Sequence, residues 1–159
     1  MNIQISALTK ESFAAYGELI QLPIDTETTF SADHFSYWKQ QGIIKAFGGD
    51  VEIGVLNVTQ KQLSFDQLER HNYTAEFLVP LNGSFICPVA IPSTEIPNVD
   101  QITAFRVSLG QAIVLKPNCW HWMPVPVEKE ILILVIYKNN TSADDLIIEK
   151  LNETCYLSV

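Results

Sequence analysis

The chain has 159 residues, 47% of them hydrophobic and 18% charged, which is the profile of one folded domain and not of a disordered segment. Its formal net charge is -8 and its pI about 4.7, with no cluster of Lys or Arg, so neither nucleic acid nor an anionic membrane is expected as a partner, because phosphate contacts need basic patches. No stretch reaches the roughly 20 apolar residues of a membrane-spanning helix, and the opening MNIQISALTKESF lacks the basic and apolar regions of a secretory signal, so a cytoplasmic protein is expected. The cysteines Cys87, Cys119 and Cys155 are widely spaced and odd in number, which suits reduced thiols better than a disulfide framework. Sequons such as Asn57-Val58-Thr59 carry no weight without a secretory signal.

The first predicted element is a helix after Thr9. Thr9 can cap it, Glu11 suits its positive end, Phe13 and Tyr16 can face the core, and Gly17 is placed to end it in the left-handed conformation. QLPIDTETTF is polar, holds Pro23 and reads as loop. Short apolar runs follow: GIIKAF, VEIGVLNV, AEFLVPL, SFICPVAI, ITAFRVSL, AIVLKP and ILILVIY. Their lengths and β-branched content predict strands. The breakers between them are Gly48-Gly49-Asp50, Asn82-Gly83, Pro92 to Pro97, Gly110 and Asn139-Asn140. Asn82-Gly83 is a strong hairpin signal. ILILVIY reads as a central strand and SADDLIIEKL as a short C-terminal helix. Strands at regular spacing predict a mainly β sandwich or barrel. No repeat, low-complexity segment or linker divides residues 1–159, so a single domain is expected.

The stretch QLERHNYTAEFLVPLNG, Gln67 to Gly83, places Glu69, Arg70, His71 and Glu76 at the entrance of an apolar run. Side chains two apart on a strand share a face, so Glu69 and His71 point the same way if they lie on one strand. Glu76 lies at an odd offset from His71 and converges with it only if the chain turns through Asn72-Tyr73-Thr74, where Asn and Thr suit a turn. In KPNCWHWMPVP, Trp120 and Trp122 share one face and His121 takes the other. His34, in SADHFSYW, has no partner by spacing and reads as structural or exposed. No phosphate-binding glycine pattern is present.

The spacing Glu-x-His, four residues, Glu, six residues, Gly83 resembles the first motif of the cupin superfamily, His-x-His, three or four residues, Glu, six residues, Gly, with Glu69 in place of the first His. Gly110 and His121, eleven residues apart, resemble the second motif, although its Pro falls one place late at Pro117 and its Asn is Val125. The resemblance implies a cupin double-stranded β-helix with a short N-terminal helix. It also implies a metal set of Glu69, His71, Glu76 and His121, two carboxylates and two imidazoles. Such a mixed nitrogen and oxygen set suits one divalent metal, Ni, Mn, Fe or Zn, and leaves positions open for substrate or water.

Within the cupins, ALTKESFAAYGELI, LERH followed by FLVPLNG, and NCWHWMPV resemble in order the opening helix, central motif and Trp-His segment of the ureidoglycolate lyase family. That family implies a homodimeric β-barrel that splits (S)-ureidoglycolate into glyoxylate and urea in allantoin (purine) catabolism. It implies catalytic roles for Glu69, His71 and His121, and substrate-binding roles for Glu76, Lys116 and Trp120. The family often carries Gln at the position of Glu76, a His near Lys116 and a second His where Trp122 stands. Two other readings stay open: a different metal-dependent cupin enzyme acting on a small hydroxy or keto acid, and a non-catalytic ligand-binding cupin.

Overall fold

In the computed structural model the described residues are 1–22, 27–33, 35–38, 49–59 and 63–158, so the predicted run GIIKAF, His34, Pro23 and Gly48 lie outside them. The chain opens with β1 (Asn2–Ser6), a single helical turn α1 (Lys10–Phe13) and β2 (Gly17–Gln21). A short pair, β3 (Phe30–Ala32) and β4 (Phe35–Tyr37), is followed by β5 (Val51–Thr59), β6 (Ser64–Arg70), β7 (Glu76–Pro80) and β8 (Phe85–Ala90). After a 3-10 turn at Val99–Gln101 come β9 (Thr103–Val107), β10 (Gln111–Leu115), β11 (Trp120–His121), β12 (Val125–Pro126) and β13 (Glu130–Lys138). A second helical turn, α2 (Thr141–Asp144), leads into the long β14 (Ile147–Ser158). No helix among the described residues is long and apolar enough to cross a membrane.

The strands form two main sheets, β11-β6-β14-β1-β9-β8-β12 and β2-β10-β7-β13-β5. The two-residue β11 pairs with β6 on one side and β8 on the other, so the larger sheet returns on itself. This is the expected mainly β closed barrel with few helices. The sequence pattern explains the burial. On β13, Ile131, Ile133 and Val135 are buried where Leu132 between them is exposed, the period of a strand with one face on a core. ILILVIY is indeed interior, between β7 and β5. β8 is apolar throughout because both its faces are covered. Phe85, Cys87 and Val89 join a core with Phe13, Leu78, Phe105 and Ile133. Ile86 and Ala90 join a second one with Phe65, Leu68, Trp120 and Leu157. Each such Leu, Ile or Phe contributes about 1.5–3 kcal/mol on burial.

The structure corrects several expectations. The predicted helix is one turn, held by a capping box in which Thr9 Oγ1 accepts from Ser12 N at 3.1 Å and Ser12 Oγ accepts from Thr9 N at 2.9 Å. Gly17 does not end it in the left-handed region; it starts β2, pairs with Leu115 and is required for space. A Cβ there would lie 1.9 Å from Val114 O and 2.9 Å from Phe13 Cε1. Asn82-Gly83 is not a hairpin between paired strands. β7 pairs with β10 and β13, whereas β8 pairs with β9, β11 and β12, so the turn crosses from one sheet to the other. Gly83 takes φ 73°, and Asn82 Oδ1 accepts from Leu132 N at 2.7 Å. The C-terminal helix is confined to Thr141–Asp144, and Ile147 onward is strand, because β14 finds ladders with both β6 and β1 that a short local helix cannot match.

Gly17→Ala should destabilise the fold by about 3 kcal/mol, the upper range for forcing a methyl group into packed structure. Urea unfolding monitored by Trp fluorescence checks this, with an unchanged midpoint refuting the close approach.

Candidate metal and active site

Glu69 rides on β6, and the chain leaves that strand at Arg70, bends at Asn72 and Tyr73, and enters β7 at Glu76. The expected turn is therefore present, and it carries the chain from the larger sheet to the smaller one. A residue that local spacing does not reveal holds it: Asp145, buried just past α2. Its Oδ1 accepts from Asn72 N and its Oδ2 from Tyr73 N, each at 2.8 Å. Its main-chain oxygen accepts from His71 Nδ1, also at 2.8 Å. One residue thus sets both the bend and the orientation of the histidine beside it.

The second histidine is positioned from the opposite side. Asn118, at φ 62°, donates its N–H to His71 O at 2.6 Å. Buried Arg70 ties the two turns together: Nη1 donates to Asn72 Oδ1 and, at 2.8 Å, to Asn118 Oδ1, and Nη2 donates to Thr94 O at 3.2 Å. The guanidinium lies over the Trp120 ring, 5.0 Å from its centroid. His121, on the closing strand, pairs with Glu69 of β6 and Val89 of β8.

These elements bring Glu69, His71, Glu76 and His121 together. The His71 and His121 ring centroids are 5.3 Å apart. His121 Nε2 lies 2.9 Å from Glu76 Oε2 and 3.5 Å from Glu69 Oε1, and His71 Nε2 lies 3.5 Å from Glu76 Oε2. His121 Nδ1 bonds to Cys119 O at 3.0 Å. A carbonyl can only accept, so both Nδ1 atoms carry hydrogen, and the neutral form of each ring presents its Nε2 lone pair to the carboxylates. Despite their proximity, Glu76 Oε2 and His121 Nε2 have no hydrogen-bond partner of acceptable geometry.

This donor set fits a divalent metal. Neighbouring ligands bound at about 2.1 Å stand roughly 3–3.5 Å apart, which is the spread of these contacts. A cation would satisfy both orphaned buried atoms, and the Nδ1–carbonyl bonds fix the tautomer that a metal needs. Among the described residues, His71, Glu76 and His121 offer ligand atoms within 4.8 Å of one another; Glu69 stands beside them with 16% of its side chain exposed.

Without a metal, electrostatics dominate. Burial raises the Glu69 carboxyl above its usual range, and the nearby His121 only partly reverses this. Burial would also raise Glu76, but His121 and His71 outweigh it and hold Glu76 down at about 2. Burial lowers His121, but Glu76 and then Glu69 outweigh it and hold His121 up at about 9. The metal-free state thus pairs an imidazolium with a carboxylate.

The four residues line a cavity of about 390 Å³ whose walls include Leu56, Leu78, Met123 and Val135, and whose other polar members are Glu52, Tyr137 and Ser142. Lys116 and Trp120 are not brought to it. Lys116 Nζ donates to Ala14 O at 2.6 Å and Ala15 O at 3.3 Å, which ties it to the turn after α1. Trp120 is fully buried in the second core, and its Nε1 donates to Glu95 O at 2.8 Å and Ser93 Oγ at 3.2 Å. Strand parity that turns His121 inward turns Trp120 away, so the expected substrate contacts of both residues are corrected. Glu52, Tyr137 and Ser142 escape sequence reading because only the assembled sheet shows that they share this space.

Asp145→Ala should destabilise the protein by about 2 kcal/mol, because two backbone N–H groups lose a charged acceptor. It should also weaken Zn²⁺ or Mn²⁺ binding roughly 10- to 100-fold, the usual cost of losing an outer-shell support; calorimetry measures the second effect and urea unfolding the first.

Stability of the metal-free protein should depend on pH through the same cluster. His121 is raised from 6.5 to about 9, so its contribution is complete below 6.5 and is lost as pH rises through about 9. Glu76 is lowered from 4.5 to about 2, so its contribution is complete above 4.5 and is lost as pH falls through about 2. The raised Glu69 adds to the decline with rising pH. In chelator, Tm should fall between pH 6.5 and 9, and Glu76→Gln should flatten that slope; equal slopes in both proteins would refute the ion pair.

Comparison with known proteins places the chain in a family. A family model described as ureidoglycolate lyase matches residues 1–157. The chain is 25% identical over 150 residues to a ureidoglycolate lyase of Pseudomonas entomophila, covering 87% of this chain and 86% of that protein. It is 26% identical over 145 residues to one of Pseudomonas fluorescens, covering 84% and 83%. Among solved structures it is similar to a Lactobacillus farciminis oxalate decarboxylase formate complex, with a TM-score of 0.45 and 13% identity, covering 61% of this chain and 26% of that longer one. A Bacillus subtilis oxalate decarboxylase, studied for its Mn(II) centres, matches with a TM-score of 0.43 and 14% identity over 63% of this chain and 23% of its own. The chain belongs to the ureidoglycolate lyase family of enzymes.

Proposed function

We propose that this protein cleaves (S)-ureidoglycolate to glyoxylate and urea, the step of allantoin breakdown that the family is named for. The observation that supports it is the convergence of two anchored imidazoles and two carboxylates at one end of a cavity in a chain of this family. His71, Glu76 and His121 would hold one divalent metal, Ni, Mn, Fe or Zn, with Glu69 beside them. A bound cation supplies positive charge for the substrate's carboxylate and hydroxyl oxygens and lowers the hydroxyl's pKa.

Glu69 is the proton carrier. It is the most exposed of the four side chains, and burial raises its carboxyl toward the range useful for acid–base work. It takes the hydroxyl proton as the carbinol C–O bond becomes a carbonyl. The C–N bond breaks with its electron pair on nitrogen, and Glu69 returns the proton to that nitrogen. Glyoxylate and urea leave, no water is consumed, and the apolar walls keep bulk water from the reacting carbon. The reading includes a cytoplasmic homodimer with one cupin domain per chain.

A second reading is favoured by Glu76, where the family often carries Gln: another metal-dependent cupin enzyme acting on a small hydroxy or keto acid. A urea-release assay with each metal separates the two. Glu69→Gln and His71→Ala should each reduce kcat about 10²- to 10⁴-fold with Tm within a few degrees of wild type. Absence of urea from wild type with every metal refutes the lyase reading in favour of the second.

A further inference from the structure

Two sets of polar side chains line the cavity, and the metal-ligating cluster is one of them. The other is made by β5, β13 and α2. Tyr137 stands directly opposite Glu52 in the β13–β5 register. Both lie at inward positions, in step with buried Val135 and Ile133 on one strand and with Leu56 and Val58, which pack on the core, on the other. Ser142 comes from α2, and all three line the same cavity as His71 and His121. The Tyr137 ring centroid lies 6.3 Å from that of His71, so this residue stands beside the cluster. Burial, together with the negative charges of Glu52 and Glu76, raises the Tyr137 phenol, and the nearby Ser142 partly offsets this. Glu52 Oε2 also accepts from Asn140 N at 3.3 Å.

We infer that Glu52, Tyr137 and Ser142 form a recognition site for the N–H-bearing end of a two-ended substrate whose anionic end is held by the histidine and carboxylate cluster. A carboxylate is acceptor-only, and hydroxyls both donate and accept. Together they match a group with several N–H donors and one carbonyl, which is the chemistry of a ureido or amide terminus. They do not match a second carboxylate, because among the described lining residues no Lys or Arg would neutralise it. A ureido group is about as long as one peptide unit, roughly 3.8 Å between its flanking atoms. A substrate anchored beside His71 therefore reaches Tyr137. The assignment rests on the proposed lyase reading for the identity of the anionic end, and it orients that substrate: hydroxyl and carboxylate inward, ureido group toward β5 and α2.

Calorimetric titration of the whole protein with added Mn²⁺ tests this with three ligands of similar shape and falling donor number: N-carbamoylglycine, succinamate and monomethyl succinate. Wild type should bind them in that order, with about a tenfold or greater span, as expected for hydrogen bonds to a charged acceptor. Glu52→Ala and Tyr137→Phe should each compress the span to about threefold or less. Their affinity for glycolate, which carries only the anionic end, should stay at the wild-type value and shows that they are folded. Equal binding of the three ligands by wild type, an unchanged ranking in both variants, or no binding of any of the three overturns the inference. If the ranking holds and no urea is released from ureidoglycolate, the second site stands and the lyase reading falls. If urea is released and the ranking is flat, the reverse is true.

Discussion

Two backbone N–H groups, of Asn72 and Tyr73, share one buried carboxylate, that of Asp145. Much of the site depends on that arrangement. A bend between sheets exposes main-chain donors that would be costly to bury unpaired. A charged acceptor is the strongest way to satisfy them. With the bend held, β6 can carry Glu69 next to its end and β7 can begin on Glu76, with both side chains in the same space. The main-chain oxygen of the same residue orients His71, so the support and the site are coupled through a segment that lies far away in the chain.

The cluster concentrates unlike charges where water is scarce. Four side chains, each no more than 16% exposed, hold two potential anions and two imidazoles within a few ångströms. Such a group is stable only if charges pair or a cation bridges them, because an isolated buried charge is heavily penalised. The metal-free state solves this with the Glu76–His121 ion pair. The short contact without hydrogen-bond geometry shows that this solution is incomplete. Arg70 adds a buried cation on the opposite side of the strand, held by asparagine and carbonyl oxygens and by the Trp120 ring, where it braces the histidine-bearing turns.

The mistaken expectations share one origin. Gly17 looked like a helix stop because glycine often serves so, but its role here is to let β2 approach Val114. Asn82-Gly83 carries a sound turn signal, yet a turn does not specify whether its flanking strands pair with each other. SADDLIIEKL has local helical character, and its ladder with β6 overrode it from Ile147 onward. Lys116 and Trp120 take substrate-binding roles only through the family resemblance, and their side chains leave in other directions.

Strand identity was legible wherever apolar residues alternate or run continuously, because burial on one or both sheet faces acts directly on each side chain. By the same logic, Glu69 and His71 were assignable to one face, the turn at Asn72-Tyr73-Thr74 was readable from its residues, and Trp120 was separable from His121. These features depend on near neighbours in the chain. The polar strands β6 and β14, the sheet closure through β11, the support from Asp145, the brace at Arg70 and the second polar set at Glu52, Tyr137 and Ser142 were decided only by the tertiary structure. Each of these joins residues distant in the chain, and local side-chain chemistry carries no record of which partners the packing of two sheets will deliver.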